Sequence, residues 1–392
     1  MEFTFKGKVT RAAAVVAASA LMAGASVMGG TPAGADPKQF NALAGVGSDT
    51  TQDVVNALAG FNNNVNYTPV QSSVASGKKQ VISFDAVLSG SDCVTTRPGG
   101  ASFLRPNGST NGRRALSRAI DGTTWPAATP LCGGPKVVSG QVDFARSSAG
   151  PGSGSPLVLT YIPFGRDGLG FAYYASSGTP VTTLTSAQLT SLFSTGPQTI
   201  GGIEIVPCGI QTGSGTYNSW NTALGVAATE ATGTATCNAA GTGQRLQEND
   251  ANGLKAKGDA QPGKEVIVGF SAANFISQMN SVAASQLPVG QPPSVIVDMG
   301  AIDALGKPYT GTAPSLAPSA SFYANTTYGR DVYNVVPTAK VTGIGNNDLK
   351  TMFVGATSSV CQATSTITAF GFSNATALPC GDTTTQGPSV VN

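Results

Sequence analysis

Four short runs of glycine, serine and threonine hold the chemistry most open to this chain. They are Gly47-Ser48-Asp49-Thr50-Thr51, Asn107-Gly108-Ser109-Thr110-Asn111-Gly112, Arg146-Ser147-Ser148 and Gly213-Ser214-Gly215-Thr216. Each sits where a predicted strand hands over to a helix. Hydroxyl and backbone N–H groups at a helix start can converge on one anion, helped by the positive end of the helix dipole. Singly, each run reads equally as a cap or a turn, and a chain with 50 glycines makes several by chance. Their joint order is the informative feature. Arg146 is the candidate charge for such a site, with Arg113 and Arg114 as alternatives. The plainer readings are an ion pair of Arg146 with Asp143 or Asp167, and a solvated helix face for Arg113 and Arg114. Asp49 either accepts from a protonated oxyanion or caps its helix, and capping is the commoner use.

Composition removes most other chemistries. The chain has no histidine, so Ser-His and Cys-His nucleophilic arrangements and zinc-hydrolase motifs cannot be built. No cofactor is expected. A phosphoesterase using Ser and Asp is the enzymatic rival, and it lacks both an evident base for its nucleophile and a metal-ligand cluster; the expectation is that the chain is not an enzyme. Lys6, Lys8 and Arg11, an apolar stretch from Ala12 to about Met28, and Ala33-Gly34-Ala35 before Asp36 read as a secretory signal peptide over residues 1–35. Its removal takes three basic residues and one acidic residue from a chain of net charge +2, leaving it balanced. Nucleic acid is therefore not an expected partner. No membrane span is expected after signal removal, and no cysteine near the cleavage site offers a lipid anchor. The expected location is extracellular.

Six cysteines in an exported chain suggest disulfides. Fifteen connectivities are open, of which nearest-neighbour pairing of Cys93 with Cys132, Cys208 with Cys237 and Cys361 with Cys380 is the simplest. Metal binding is not expected, because no Cys-x-x-Cys spacing is present.

The elements that must position the loops follow from periodicity. Thr50–Phe61, Arg113–Ile120, Thr185–Phe193, Tyr217–Leu224 and Ala272–Met279 have helical spacing. Gln80–Phe84, Val142–Ala145, Leu157–Phe164, Gly168–Ala175, Ile203–Pro207, Val266–Phe270, Ser294–Met299 and Val332–Val336 read as strands. This alternation predicts an α/β fold with a largely parallel sheet, and ligands in such sheets bind beyond the carboxyl ends of strands. Thr229–Gly243, Thr310–Ser321 and Gly381–Asn392 read as solvated loops or tail. Trp125, Trp220, Phe171, Tyr173 and Tyr174 read as core, although two of them in a cleft would favour a carbohydrate.

On these residues the chain resembles the phosphate-type substrate-binding proteins of ABC transporters. Val46-Gly47-Ser48-Asp49-Thr50, Gly108-Ser109-Thr110-Asn111-Gly112, Asp143-Phe144-Ala145-Arg146-Ser147-Ser148 and Gly213-Ser214-Gly215-Thr216 are similar, in order, to that family's ligand loops. The likeness spans nearly all of the chain after residue 35. It implies a two-lobed type 2 periplasmic-binding-protein-like fold, with residues 36–162 and 333–392 in lobe one, 163–332 in lobe two, and a ligand cleft between them. It also implies that Ser48, Asp49, Thr50, Ser109, Thr110, Arg146, Ser147, Ser148, Ser214, Gly215 and Thr216 bind a small anionic ligand, most simply phosphate, with an ABC permease or another cell-surface component as partner. Two positions depart from the family. Ser148 stands where an acid is common, and Ile210 where an arginine would clamp the oxyanion bidentately. The Ile210 departure and the missing lipid cysteine support a rival reading, an extracellular structural, adhesive or assembly protein that keeps the fold without transport.

Overall fold

A computed structural model describes residues 36–38, 40–74, 77–88, 90–126, 128–283, 297–345 and 347–391. The expected signal peptide, and residues 294–296 of the strand expected at Ser294–Met299, lie outside them.

Among the described residues ten strands join one mixed sheet: β1 (Leu43–Gly47), β2 (Val81–Ser83), β3 (Phe144–Ser147), β4 (Leu157–Ala175), β5 (Gln198–Ile200), β6 (Ile203–Pro207), β7 (Lys264–Ser271), β8 (Asp298–Met299), β9 (Gly329–Pro337) and β10 (Gln386–Pro388). The order is β5-β6-β7-β4-β9-β3-β1-β2, with β8 and β10 paired to β4. Pairing is parallel for β1 with β2 and β3 and for β6 with β7. It is antiparallel where β4 meets β7 and β9, and where β9 meets β3. The expectation of a largely parallel sheet is thus corrected. Parallel pairing requires a crossover that restores strand direction, and β4 enters the sheet through residues 148–156, which contain no helix.

Two expected strands, Leu157–Phe164 and Gly168–Ala175, are one strand of 19 residues, buried from Leu159 onward. Pro163 is tolerated inside it because the register with β9 shifts between Pro163 and Gly165, and such an irregularity removes the need for its missing N–H. The chain positions expected to divide two lobes fall at this irregularity. Ile162 lies opposite Asn334, and Pro163 opposite Tyr333.

Six helices matter for the site: α1 (Gln52–Leu58), α2 (Gly108–Asp121), α3 (Ser186–Thr195), α4 (Gly215–Leu224), α5 (Ala251–Asp259) and α6 (Ala272–Met279). The start of α2 lies five residues ahead of expectation, so the second loop forms its first turn. One apolar core is drawn wholly from residues 169–328, including Phe171, Phe193, Trp220, Phe270 and Phe322. Two others combine earlier and later chain. One holds Val54, Phe144, Phe164, Phe353 and Phe370, and the other Phe84, Phe103, Leu116, Trp125 and Tyr161. The five aromatics named above are all buried.

Low-complexity composition misled in two places. Within Thr229–Gly243, Cys237 is fully buried and the buried Glu230 pairs with Arg245 at 2.8 Å. The tail at Gly381–Asn392 supplies β10, and its Val390 N–H donates to Ser117 Oγ at 3.0 Å. Solvation is not dictated by Ser, Thr and Gly content once a disulfide or a strand edge supplies partners. All three nearest-neighbour disulfides are formed.

Glu265 of β7 provides a stability prediction. Its side chain is enclosed, Oε2 accepts the Val181 N–H at 2.7 Å, and Oε1 is buried without a partner. Burial pushes its carboxyl up to about 7. The folded state therefore holds a proton that the unfolded chain releases near its ordinary value of about 4.3, and stability falls as pH rises from that value to about 7. Glu265→Gln, which is neutral throughout, is expected to exceed wild type by about 3 kcal/mol at pH 8 and to match it near pH 4. Urea unfolding at the two pH values checks this, and an equal margin at both would refute it.

Candidate functional site

The four loops meet. Ser48, just past β1, donates through Oγ to Ser148 Oγ at 3.2 Å, and Ser148 Oγ lies 3.3 Å from Ser109 Oγ. The Ser148 N–H donates to Ser109 Oγ at 3.0 Å. Beside this serine group, Thr50 Oγ1 stands 3.2 Å from Thr216 Oγ1. All five side chains are almost wholly buried. Two glycines permit the approach. Gly108 has a φ of +84°, and a Cβ there would lie 2.4 Å from the Gly213 carbonyl oxygen, which accepts the Thr110 N–H at 3.1 Å. A Cβ on Gly215 would lie 2.4 Å from both Ser109 Oγ and Ser148 Oγ. Ser214 caps α4 by accepting the Tyr217 N–H at 3.0 Å.

The charges come from elements that the loop pattern did not reveal. On β4 and β9, Arg166 lies opposite Asp331 and Asp167 opposite Arg330, forming two reciprocal ion pairs of 2.7 and 2.8 Å. Adjacent strand residues point to opposite faces, so just one of the pairs reaches the cluster. Arg330 Nη2 donates to Thr216 Oγ1 at 2.8 Å, and its Nη1 to the Ser148 carbonyl at 3.2 Å. Asp167 is fully buried and also accepts the Ala273 N–H.

Glu248, in the segment before α5, enters from the other side. Its Oε1 accepts from Thr216 Oγ1 at 2.5 Å and from Thr50 Oγ1, while its buried Oε2 has no partner. The next residue, Asn249, donates to Asp49 Oδ1 at 2.9 Å and accepts the Ser271 N–H at 3.1 Å. Asn274 on α6 donates to the Thr50 carbonyl at 2.8 Å. Burial and the neighbouring Glu248 charge push the Asp49 carboxyl well above the usual carboxylate range.

Several expected site residues have other roles. Arg146 is completely buried and turned away from the hydroxyl cluster. It donates to the carbonyls of Ser48, Gly47 and Phe84 and to Ser83 Oγ, so it shapes the first loop from beneath. Neither of its expected ion pairs forms, because Asp143 pairs with Arg97 and Asp167 with Arg330. Ser147 Oγ donates to the Ala149 carbonyl, away from the other hydroxyls. Thr110 lies at the edge, accepting from Asn218 at 3.3 Å. Asp49 is not a helix cap, since its carboxylate reaches Asn249 and α1 has no side-chain cap bond. Arg113 is buried, donating to the Ser109 and Gly150 carbonyls, and Arg114 donates to Asn111 Oδ1 and the Val391 carbonyl. Ile210 is core, 3% exposed. Arg330, Asp167, Glu248, Asn249 and Asn274 also surround these loops and lie outside the expected set. The available signals were the two Arg-Asp dipeptides at 166–167 and 330–331, and a polar run at 244–250 in a chain only 11% charged.

No protein-family model matches the sequence, and no curated protein matches it. Solved structures do. An ABC-type phosphate transport receptor from Vibrio cholerae aligns at 15% identity over 84% of this chain and 99% of its own, with a TM-score of 0.43. A putative phosphate ABC transporter substrate-binding protein from Clostridium perfringens, with bound phosphate, aligns at 11% identity over 85% and 98%, with a TM-score of 0.41. The ancestral soluble variant of the human phosphate-binding protein aligns at 13% over 88% and 99%, with a TM-score of 0.40. The sheet of this chain is itself mixed, with helices packed on it. Among the described residues, no helix is long and apolar enough to cross a membrane, and no group of three His, Cys, Asp or Glu is placed to hold a metal.

Proposed function

We propose that this protein is a secreted solute-binding protein that takes a small oxyanion, phosphate first, among the four loops. One observation carries the reading: hydroxyls of Ser48, Thr50, Ser109, Ser148 and Thr216, drawn from 169 residues of chain, lie in one buried cluster. Arg330 adds a guanidinium at its edge. Buried hydroxyl and guanidinium donors gathered without a local sequence reason suit a compact anion that accepts from all sides. Ser48, Thr50, Ser109, Ser148, Gly215, Thr216 and Arg330 are its proposed contacts, and Asp49 and Ser214 hold the loops in shape.

Donors serving one anion stand roughly 4–5 Å apart when each lies about 2.8 Å from a shared oxygen. The serine hydroxyls here are closer than that, so entry requires the loops to part. Residues 36–162 with 333–392 form one lobe of the proposed hinge and 163–332 the other, with the β4–β9 irregularity as its pivot. An ABC permease or another cell-surface component is the proposed receiver. The adhesive or assembly reading is favoured by one feature, the Glu248 carboxylate that already engages Thr50 and Thr216.

Isothermal titration with phosphate, sulfate and a panel of neutral sugars tests the reading. Saturable heat from phosphate and none from sugars is expected. No heat from any oxyanion at millimolar concentration, in wild type and in a variant lacking the Glu248 carboxylate, would overturn it.

A further inference from the structure

We infer that the Glu248 carboxylate is a tethered competitor, an anion of the chain itself that occupies part of the donor set proposed for the external oxyanion. The inference rests on that reading of the site and adds a residue that sets its affinity.

Each threonine hydroxyl has one hydrogen to give. Thr216 Oγ1 accepts from Arg330 Nη2 at 2.8 Å and donates to Glu248 Oε1 at 2.5 Å, while Thr50 Oγ1 donates to the same oxygen. Both protons are therefore spent on Glu248, and neither serves an outside anion until the carboxylate withdraws. Charge gives the same answer. Two anions sharing donors in a buried site repel strongly, and Asp167, with both oxygens engaged by Ala273 and Arg330, leaves one guanidinium already committed. The titratable and charged groups around this region include Asp49 on the first loop, with Asp53 and Arg146 acting on it, Asp167 on β4 and Arg330 on β9.

Two features make Glu248 displaceable. Its Oε2 is buried with no partner, so part of the cost of taking a carboxylate from water remains uncompensated where it sits. Its backbone neighbours are anchored independently. The Leu246 N–H donates to the Gly209 carbonyl, the Leu246 carbonyl accepts the Gln211 N–H, and Asn249 is held by Asp49 and Ser271. Withdrawal is thus a side-chain movement on a fixed segment.

The test titrates inorganic phosphate into wild type, Glu248→Gln and Glu248→Asp, each first shown folded by thermal unfolding. Glu248→Gln removes the charge at nearly constant shape, and Glu248→Asp keeps the charge but shortens its reach to Thr50 and Thr216. Phosphate binding at least tenfold tighter in Glu248→Gln, with Glu248→Asp between it and wild type, is expected. If Glu248→Gln fails to fold, tighter binding by Glu248→Asp supports the inference, and equal or weaker binding overturns it. Equal or weaker binding by both variants also overturns it, and assigns Glu248 to structure or to ligand contact. Absence of binding in all three proteins instead defeats the oxyanion reading itself.

Discussion

Arg330→Met is expected to cost about 3–5 kcal/mol of stability, the usual penalty for leaving one partner of a buried ion pair alone. Asp167 is fully buried, and two of its three hydrogen bonds come from Arg330. The same guanidinium ties β9 to the Ser148 carbonyl and the Thr216 hydroxyl, so the loss falls on the fold and the site together. Pairing the change with Asp167→Asn separates the two effects. The amide can still accept the Ala273 N–H, and neutralising the orphaned charge is expected to recover most of the stability while oxyanion binding stays absent. Urea unfolding of the single and double variants, with phosphate titration of the double, measures both. A single-variant cost below about 1 kcal/mol, the range of an exposed pair, would show that Arg330 is not held as described.

Gly215→Ala is expected to have the opposite balance, with a stability loss of about 1–2 kcal/mol and at least a hundredfold loss of phosphate affinity. A Cβ at this position would meet Ser109 Oγ and Ser148 Oγ at 2.4 Å. The hydroxyls can rotate away only by stranding the buried Ser148 N–H, at about 1–3 kcal/mol, and Ser109 Cβ stays close at 3.1 Å, while alanine favours the helix that starts here by up to about 1 kcal/mol over glycine. The fold therefore survives the change at a modest cost. The hydroxyl cluster does not, because Ser148 and Ser109 can no longer approach each other and loop four together. Thermal unfolding read alongside phosphate titration distinguishes this from a general packing defect. A variant that binds phosphate like wild type would remove Gly215 from the site.

The helix starts behind the first and fourth loops and the buried strand at Leu157–Phe164 were legible in the sequence because each depends on residues close together in it, whereas the third loop runs into β4 with no helix between and the cystine partners lie 19 to 39 residues apart. Ser214 before α4 is a local cap signal, and Pro-free apolar runs such as Val266–Phe270 mark strands by their own composition. Arg146 shows the limit of that reasoning. A charged residue in a hydroxyl loop looks like a ligand from the sequence, yet alternation along β3 turns it beneath the first loop, where four oxygen acceptors hold it.

By itself, then, the sequence determined the exclusion of histidine chemistry, the α/β character, the nearest-neighbour cystines as the simplest pairing, and the four hydroxyl turns as one candidate set. Only the tertiary structure decided which charges serve them. Arg330 and Glu248 lie 82 residues apart in the chain, and they meet at Thr216 because β9 pairs antiparallel with β4 while the segment before α5 folds back on loop four. No local rule relates such residues, since hydrogen bonding at about 3 Å depends on strand register and backbone approach. Those are properties of the assembled sheet.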